Sequence, residues 1–280
     1  MPELPEVETV RKGLEKLVTG KTIRAVEVLW GKIIEQPEKD LFELSLIGQK
    51  INRVERRGKF LIFKLTEYDL ISHLRMEGKY EFHESENDLL VKHTHVRFIF
   101  EDHTELRYLD VRKFGRMVLV EKDQSSQYKG ILSLGPEPVP EVFIFSPFRE
   151  GLKRHHKAIK PLLLDQKLVT GLGNIYVDEA LWEAEIHPEQ PADTLTKKEI
   201  ERLYASIIDV LGRAVEAGGT TIRSYLNALG EAGKFQVSLH AYGKTGEPCM
   251  RCGTPIKKIK VAQRGTHFCP ECQKLKGRKS

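Results

Sequence analysis

The sequence predicts an α+β protein with a β-rich first half, a helical second half and a small cysteine-bearing hairpin at the end. Period-two hydrophobic patterning dominates residues 22–121, and helical spacing dominates residues 147–216. All four cysteines lie after residue 248. A chain of 280 residues is long enough for two domains of ordinary size.

The first predicted element is a helix over residues 3–18. Proline fits the first turn of a helix, and Glu3, Glu6 and Glu8 suit the positive end of the helix dipole. Gly20 can end the helix. Apolar side chains repeat on one face, at Val7, Val10, Leu14 and Leu17. Helix-start chemistry alone explains this segment unless the rest of the chain gives Pro2 a chemical role.

Eight short segments with period-two patterning follow this helix. They are separated by turn signals such as Glu77-Gly78, which favours a β-sandwich or a barrel-like domain. The predicted strands are 22–30, 50–54, 59–65, 70–76, 79–83, 94–100, 105–110 and 116–121.

A proline-rich stretch separates the two halves. We therefore predict a β-domain over 1–132, a linker over 133–146 and a helical domain over 147–242. Predicted helices lie near 147–156, 160–166, 174–184 and 196–216. A glycine-rich turn precedes the third, where Asn174 could cap the helix and contact an anion, or belong to an ordinary helix connection.

The stretch 217–242 contains four glycines and has no consistent period. Long loops in compact domains are usually functional or disordered, so it is either a lid or a passive connection to the last segment. It precedes a third predicted unit, residues 243–280.

The four cysteines form two C-x2-C pairs, which is the spacing of a four-thiolate zinc site. Four thiolates saturate the ion, so one structural Zn2+ is expected here rather than a catalytic ion. The alternatives are two disulfides or four free thiols. The sequence shows no secretory signal, so disulfides are not expected. The predicted ligands are Cys249, Cys252, Cys269 and Cys272.

Positive charge is concentrated near the end of the chain. Residues 243–280 contain ten Lys and Arg against two Glu, and a second basic cluster spans 149–167. Such concentration is typical of proteins that bind a phosphate backbone, although a solvated tail and helix face would look the same. No apolar run approaches the ~20 residues of a membrane span, so we expect a cytoplasmic protein.

Between the cysteine pairs the sequence predicts a β-hairpin over 256–268 with its turn at 262–265. Arg264 would then project from the tip. A guanidinium at a rigid tip suits phosphate, because it stays charged and binds two oxygens; a merely solvated turn residue is the alternative.

Six motifs, in order, resemble the formamidopyrimidine-DNA glycosylase family over essentially the whole chain. These bacterial repair enzymes remove oxidised purines such as 8-oxoguanine. The opening PELPEV is similar to the oxidised-purine branch rather than the endonuclease-eight branch. The matching segments are 2–7, 57–60, 92–95, 110–115, 163–179 and the terminal hairpin with QRGT at 263–266.

The resemblance implies a β-sandwich, a helix–two-turns–helix domain and a zinc finger. It also implies that Met1 is removed, so that the Pro2 amine attacks C1′ of the damaged nucleotide and forms an iminium ion. The base is displaced and both flanking phosphates are then eliminated. Glu3 would transfer protons, while Lys59 and Arg264 would contact phosphate and assist.

The resemblance further implies DNA contacts spread over both domains. His93, Arg112, Lys153 and Asn174 match positions that contact the backbone or bases, and the 217–242 loop matches the segment that caps the lesion. Met76, Arg112 and Phe114 match residues that fill the space of the extruded nucleotide, although Met76 and Phe114 could instead be core. His73, Tyr242 and Lys258 are further candidate contacts.

The expected partner is double-stranded DNA that contains oxidised purines or abasic sites, bound by a monomer acting at the nucleoid. A zinc-ribbon DNA-binding protein without catalysis would share every basic and metal feature, and Pro2, Glu3 and Lys59 distinguish the two. A same-family enzyme for oxidised pyrimidines is a third possibility, disfavoured by the opening motif and the long loop.

We expect the mature chain to begin at Pro2. A small residue after Met1 permits removal of the initiator. Removal is required because the Pro2 nitrogen is an amide while Met1 is attached, and an amide nitrogen cannot act as the nucleophile. Intact-mass measurement of the purified, active protein checks this. An active enzyme that retains Met1 would rule out Pro2 as the nucleophile.

Overall fold

The computed structural model describes residues 2–220 and 239–277, which fall into two compact units. The first unit contains residues 2–132 and Thr220, and the second contains 133–219 and 239–277. The predicted α+β class is confirmed. Within the described ranges no helix is long and apolar enough to cross a membrane.

The first unit is a β-sandwich around one core. Its strands are β1 (Ile23–Val28), β2 (Ile34–Gln36), β3 (Arg53–Arg57), β4 (Phe60–Lys64), β5 (Tyr68–His73), β6 (Lys79–His83), β7 (Thr94–Phe100), β8 (Glu105–Leu109) and β9 (Arg116–Glu121). One sheet has the order β1-β7-β8-β6, and the other has the order β2-β9-β5-β4-β3. Among the described strands only the β2–β9 pair is parallel, as expected for strands joined mainly by short turns.

Two helices cover parts of these sheets. Helix α1 (Leu4–Val18) packs against β3 and β4 and buries the predicted apolar face that includes Val10 and Leu14. Helix α2 (Lys39–Leu46) packs against β1, and a single turn, α3 (Lys129–Leu132), ends the unit.

The sequence-based prediction missed α2 and β2 and displaced β3. Helix α2 buries only Phe42 and Leu46 and exposes its other apolar side chains, so its periodicity is weak. Strand β3 begins at Arg53 rather than residue 50, because Lys50 bridges to Thr22 instead of pairing with β4.

The second unit is helical, as predicted. Its helices are α4 (Phe145–Lys153), α5 (Ile159–Leu164), α6 (Asn174–Glu183) and α7 (Lys197–Glu216). Thr196 and Glu199 form a capping box that starts α7. The apolar faces of these helices share a core that includes Phe143, Phe148, Leu163, Tyr176, Leu181 and Leu203.

Two tight turns join α5 to α6, and the Gln166 side chain holds them together. Its amide nitrogen donates to the Leu172 carbonyl at 2.6 Å, and its amide oxygen accepts from the Gly171 N–H at 2.8 Å. Gly171 has φ of 97°, a conformation that glycine adopts without strain. Residues 135 and 136, inside the predicted linker, pair with the same turns through Gly135 N–H and the Pro136 carbonyl.

The cysteine-bearing hairpin consists of β10 (Lys257–Val261) and β11 (Arg264–Phe268). Val261 pairs directly with Arg264, so the turn contains only Ala262 and Gln263, both with left-handed φ values of 44° and 64°. The predicted four-residue turn was therefore wrong, and Arg264 begins a strand instead of occupying the tip. Its side chain is nevertheless exposed.

Candidate nucleic-acid interface and metal centre

Pro2 and Glu3 lie buried at the N-terminus of α1. Glu3 and Glu6 form a capping box in which the Glu3 N–H donates to the Glu6 carboxylate at 3.0 Å. The other Glu6 oxygen accepts from the N–H and the hydroxyl of Thr220, at 2.8 and 3.1 Å. A carboxylate that is only 6% exposed thus fixes the backbone of Glu3 at the positive end of a helix.

Lys59 lies in the two-residue turn between β3 and β4 and is only 7% exposed. Gly58 precedes it with φ of 56°, the left-handed conformation that the first position of such a turn requires. Arg56 donates to the Gly58 carbonyl at 2.8 Å and to the Glu8 carboxylate at 2.9 Å. This chain of bonds holds the N-terminal half of α1 beside the turn that carries Lys59.

Glu8 is ionised at neutral pH. Burial alone would raise the pKa of its carboxyl, but hydrogen bonds and charge from Arg11 and Arg56 outweigh burial and leave the pKa lowered. The link between α1 and the β3–β4 turn is therefore an ion pair rather than a neutral hydrogen bond.

His73 ends β5 directly opposite Phe60, and their rings meet edge to face with centroids 4.5 Å apart. Burial, with the charges of Arg75 and Lys59 as smaller causes, lowers the pKa of His73 to about 3. The ring is thus neutral at physiological pH. Its Nδ1 accepts from the Arg75 N–H at 3.0 Å, so the proton sits on Nε2.

A buried aspartate shapes the loop from Asp110 to Gly115. One Asp110 oxygen accepts from the Arg112 N–H at 2.9 Å, and the other accepts from the N–H groups of Phe114 and Gly115 at 2.8 Å. The Arg112 guanidinium lies 4.8 Å from the centre of the Phe114 ring. Phe114 is 46% exposed, so the alternative that it is a core residue is excluded.

The remaining candidates of the first unit lie at strand ends. Met76 is half-buried in the turn between β5 and β6. His93 is half-buried just before β7, with a left-handed φ of 69°, and its carbonyl accepts from the Asp110 N–H at 3.1 Å. His93 therefore lies beside the loop that carries Arg112 and Phe114.

In the second unit a buried ion pair joins the helices to the hairpin. Lys160 Nζ lies 2.7 Å from Asp178 Oδ1, and neither side chain is exposed. Lys160 also donates to the Gly265 carbonyl at 3.2 Å, and the other Asp178 oxygen accepts from the His267 N–H at 2.9 Å. The sequence placed Lys160 in a basic surface cluster, and this was wrong because both charges are satisfied inside the unit.

Asn174 is the first residue of α6, but Gly173 is the N-cap, so the predicted capping role was wrong. Its side-chain amide instead donates to the Gly265 carbonyl at 2.9 Å. Asn174 and Lys160 therefore hold the same carbonyl, one residue after Arg264. The hairpin residue predicted to bind phosphate is positioned by three side chains of the helical part.

The other three candidates of the second unit differ in exposure and in the contacts that their side chains make. Lys258 is exposed on β10. Lys153 ends α4, and its ammonium donates to the carbonyls of Asp193 and Leu195 at 2.7 and 2.5 Å, so it braces that segment. Tyr242 packs edge to face on His267, 4.9 Å between ring centroids.

Glu179, only 2% exposed, anchors the segment that contains Tyr242. Its two carboxylate oxygens accept from the consecutive N–H groups of His240, Ala241 and Tyr242 at 2.8 to 2.9 Å. Most of the predicted capping loop over 217–242 lies outside the described residues. The role of Glu179 could not be predicted from the sequence, because one acidic residue in a helix carries no signal of its hydrogen-bond partners.

The four cysteine sulfurs lie within 4.8 Å of one another. Cys252 and Cys269 sulfurs are 3.5 Å apart, and those of Cys249 and Cys272 are 3.9 Å apart. A disulfide needs about 2.0 Å. Zn–S bonds of about 2.3 Å in a tetrahedron place sulfurs about 3.8 Å apart, so the cluster fits a four-thiolate zinc site.

Comparison with known proteins covers nearly the whole chain. Residues 1–117 match the formamidopyrimidine-DNA glycosylase N-terminal domain, 134–225 match the H2TH domain of the same enzymes, and 246–275 match a zinc finger found in FPG and IleRS. The sequence-based expectation of one structural zinc ion is thereby confirmed.

Curated relatives and solved structures agree with these matches. A formamidopyrimidine-DNA glycosylase of Enterococcus faecalis is 73% identical, covering 100% of this chain and 99% of its own length. That of Latilactobacillus sakei is 58% identical, with 98% of both chains covered.

Two Lactococcus lactis Fpg structures are each 48% identical to this chain. One is bound to abasic-site DNA, with a TM-score of 0.91 and 97% and 99% of the two chains covered. The other is bound to DNA containing N7-benzyl-Fapy-dG, with a TM-score of 0.92 and 98% and 100% covered.

Removal of zinc should abolish DNA binding and strand cutting while the β-sandwich stays folded. The finger has too small a core to persist without metal, and its loss frees β11 from the helices that position Arg264. The measurement is binding and cutting of damaged duplex at low salt after chelation, with stoichiometric zinc restored as the control. Full activity of the metal-free protein would contradict this account.

The pKa of His73 predicts a specific loss of stability in acid. In the unfolded chain this histidine has a pKa of about 6.5, whereas in the folded protein it becomes protonated only near pH 3. The free energy of unfolding therefore falls as the pH drops from about 6.5 towards 3. Between pH 7.5 and 5 this amounts to about 2 kcal/mol. Denaturant unfolding should show this extra loss in the wild type and not in His73→Gln; equal losses would mean that His73 is protonated in the fold.

Proposed function

The chain belongs to the formamidopyrimidine-DNA glycosylase family, and from that membership we propose how its own residues excise oxidised purines from duplex DNA and cut the strand. The reaction is that of a bifunctional glycosylase and AP lyase. The match of all three family segments in order along one chain carries the proposal. Its substrates are 8-oxoguanine, formamidopyrimidines and abasic sites in double-stranded DNA. The relatives are bacterial, and we place the enzyme in the cytoplasm, acting at the nucleoid.

Pro2 is the proposed nucleophile. Once Met1 is removed, Pro2 is a secondary amine next to the positive end of α1, which disfavours its protonated form. The amine nitrogen bonds to C1′ of the damaged nucleotide, and the C1′–N bond to the base breaks. The sugar ring then opens: the bond between C1′ and the ring oxygen breaks, the ring oxygen takes a proton, and C1′ becomes part of an iminium ion. The iminium ion acidifies the C2′ hydrogens, so that the 3′ phosphate and then the 5′ phosphate leave.

Glu3 is the proposed proton carrier. Its backbone is fixed by Glu6, and its side chain is 2% exposed, so water competes little for the proton it exchanges with the sugar ring oxygen. Burial also supports a role for Lys59, because a lysine in a turn is normally solvated. Here Arg56 links the Gly58 carbonyl of this turn to Glu8 of α1, which keeps the turn rigid.

The remaining candidates hold the DNA in this proposal. Arg264 and Asn174 bind backbone phosphate from the second unit, and Arg112, Phe114 and Met76 of the first unit fill the space vacated by the extruded nucleotide. Further contacts come from His73, His93, Lys153, Tyr242 and Lys258. Because His73 is neutral and Lys153 donates to two carbonyls, we expect smaller electrostatic contributions from these two than from Arg264.

Borohydride trapping tests the proposal directly. The iminium ion between Pro2 and the sugar is reduced to a stable amine, so wild-type protein should become covalently attached to duplex that contains 8-oxoguanine or an abasic site. An undamaged duplex of the same sequence is the control. A protein that binds the damaged duplex without being trapped would be a DNA-binding protein and not this enzyme.

Glu3→Gln should bind damaged duplex normally and excise the base about 10²–10⁴-fold more slowly, because the amide keeps the shape and lacks the proton. Single-turnover excision measures this, with affinity determined separately. Glu101→Gln, an exposed change in the turn between β7 and β8, makes the same chemical replacement and should excise normally. Excision by Glu3→Gln near the wild-type rate would remove Glu3 from its role.

A further inference from the structure

The loop from Asp110 to Gly115 is fixed at its base by Asp110, and Lys113 at its apex makes a second contact. Lys113 has a left-handed φ of 59° and an exposed side chain. Its ammonium lies 5.4 Å from the centre of the Trp30 indole ring, within the range of a cation–π interaction. Lys113 sits between Arg112 and Phe114, so this contact acts on both neighbours through the backbone.

Trp30, which follows β1, is itself held by His95. The Leu29 and Trp30 N–H groups donate to the His95 carbonyl at 2.8 and 3.4 Å, and the two rings lie 5.4 Å apart. The His95 ring nitrogen Nε2 lies 2.7 Å from the Asp110 carbonyl oxygen. His95, only 4% exposed, therefore contacts the base of the same loop whose apex rests on Trp30.

We propose that Trp30 is a positioning residue for DNA insertion, which holds the 110–115 loop by receiving the Lys113 ammonium on its ring while it packs on His95. This inference rests on the proposed function, in which Arg112 and Phe114 enter the base stack. It also assigns Lys113 a partner within the protein instead of a DNA phosphate. The three side chains connect the end of β1, the start of β7 and the loop after β8 into one support.

The physical advantage is preorganisation. A loop that carries two inserting side chains must keep its shape while neighbouring bases are unstacked, and any freedom it retains is lost on binding. The Asp110 carboxylate restrains the backbone from within the loop, through the N–H groups of Arg112, Phe114 and Gly115. The Lys113–Trp30 contact adds a restraint from outside the loop, at the residue between Arg112 and Phe114.

A double-mutant cycle tests the contact. Lys113→Met and Trp30→Leu should each weaken binding to duplex containing a tetrahydrofuran abasic analogue by about two- to fivefold, the range of an exposed cation–π pair. The double variant should bind no more weakly than the weaker single variant, because both changes remove one interaction. Multiplying effects, or two single variants that both bind like wild type, would overturn the inference.

Two further readouts separate positioning from general charge or stability effects. With 2-aminopurine beside the lesion, both variants should unstack the base about two- to fivefold more slowly. Lys113→Met should keep the wild-type slope of log K against log[salt]; a slope reduced by about 0.9 would place Lys113 on a phosphate and refute the proposal. Lys113→Arg, which keeps the cation, should restore binding.

Lys122→Met is the matched control. It removes the same charge from an exposed lysine just past the other end of β9, about 20 Å along the strand from the loop, and should leave all three readouts unchanged. Thermal unfolding checks that each variant is folded. If Trp30→Leu does not fold, the two variants of the exposed Lys113 still test the proposal through binding, unstacking and salt dependence. Wild type that neither binds nor is trapped by borohydride would refute the proposed function; normal wild type with unaffected variants would refute only this inference.

Discussion

Buried carboxylates that accept backbone N–H groups position the segments from which the candidate residues project. Glu6 binds the backbone at Glu3, Asp110 binds the loop of Arg112 and Phe114, Asp178 binds β11, and Glu179 binds the segment of Tyr242. A buried carboxylate is stable only when its oxygens are satisfied. Each segment is therefore held in one conformation, since leaving it would break the hydrogen bonds of a buried carboxyl group.

The two units apply this constraint differently. In the first, Glu6 and Asp110 accept backbone N–H groups, and an ion pair between Glu8 and Arg56 braces the turn of Lys59. In the second, Asp178 is paired with a lysine that also binds the hairpin, so helices and finger share one polar core. The zinc site and this ion pair thus hold the same strand at different points: Cys269 follows directly after β11, and the ion pair binds the β11 backbone at Gly265 and His267.

Local patterns predicted most of the fold. The amphipathic faces of α1 and α7 are strong enough to fix these two helices, because each buries one apolar face. The apolar runs of β7 and β9 mark strands that are buried on both faces. Helix α2 and strand β2 were missed since neither buries a long periodic face. The cysteine spacing predicted the metal ligands because two short loops bring four sulfurs together whatever surrounds them.

Residues whose role depends on distant partners were harder to predict. Lys160 looks like any surface lysine until Asp178 and Gly265 enclose it, and Asn174 looks like a helix cap until the Gly265 carbonyl meets its amide. Trp30 and His95 are far apart in sequence from the loop they support. The family resemblance supplied the candidate contacts, and tertiary structure supplies the reason each is held where it is.

The two-residue turn at the tip of the finger has a consequence for sequence variation. Side chains alternate along β11, so one inserted or deleted residue at the turn would move every side chain of that strand to the opposite face. The carbonyl held by Asn174 and Lys160 would no longer meet them. The side chains of Ala262 and Gln263 are exposed, and both residues have left-handed φ values. Related chains should therefore keep the length of this turn constant.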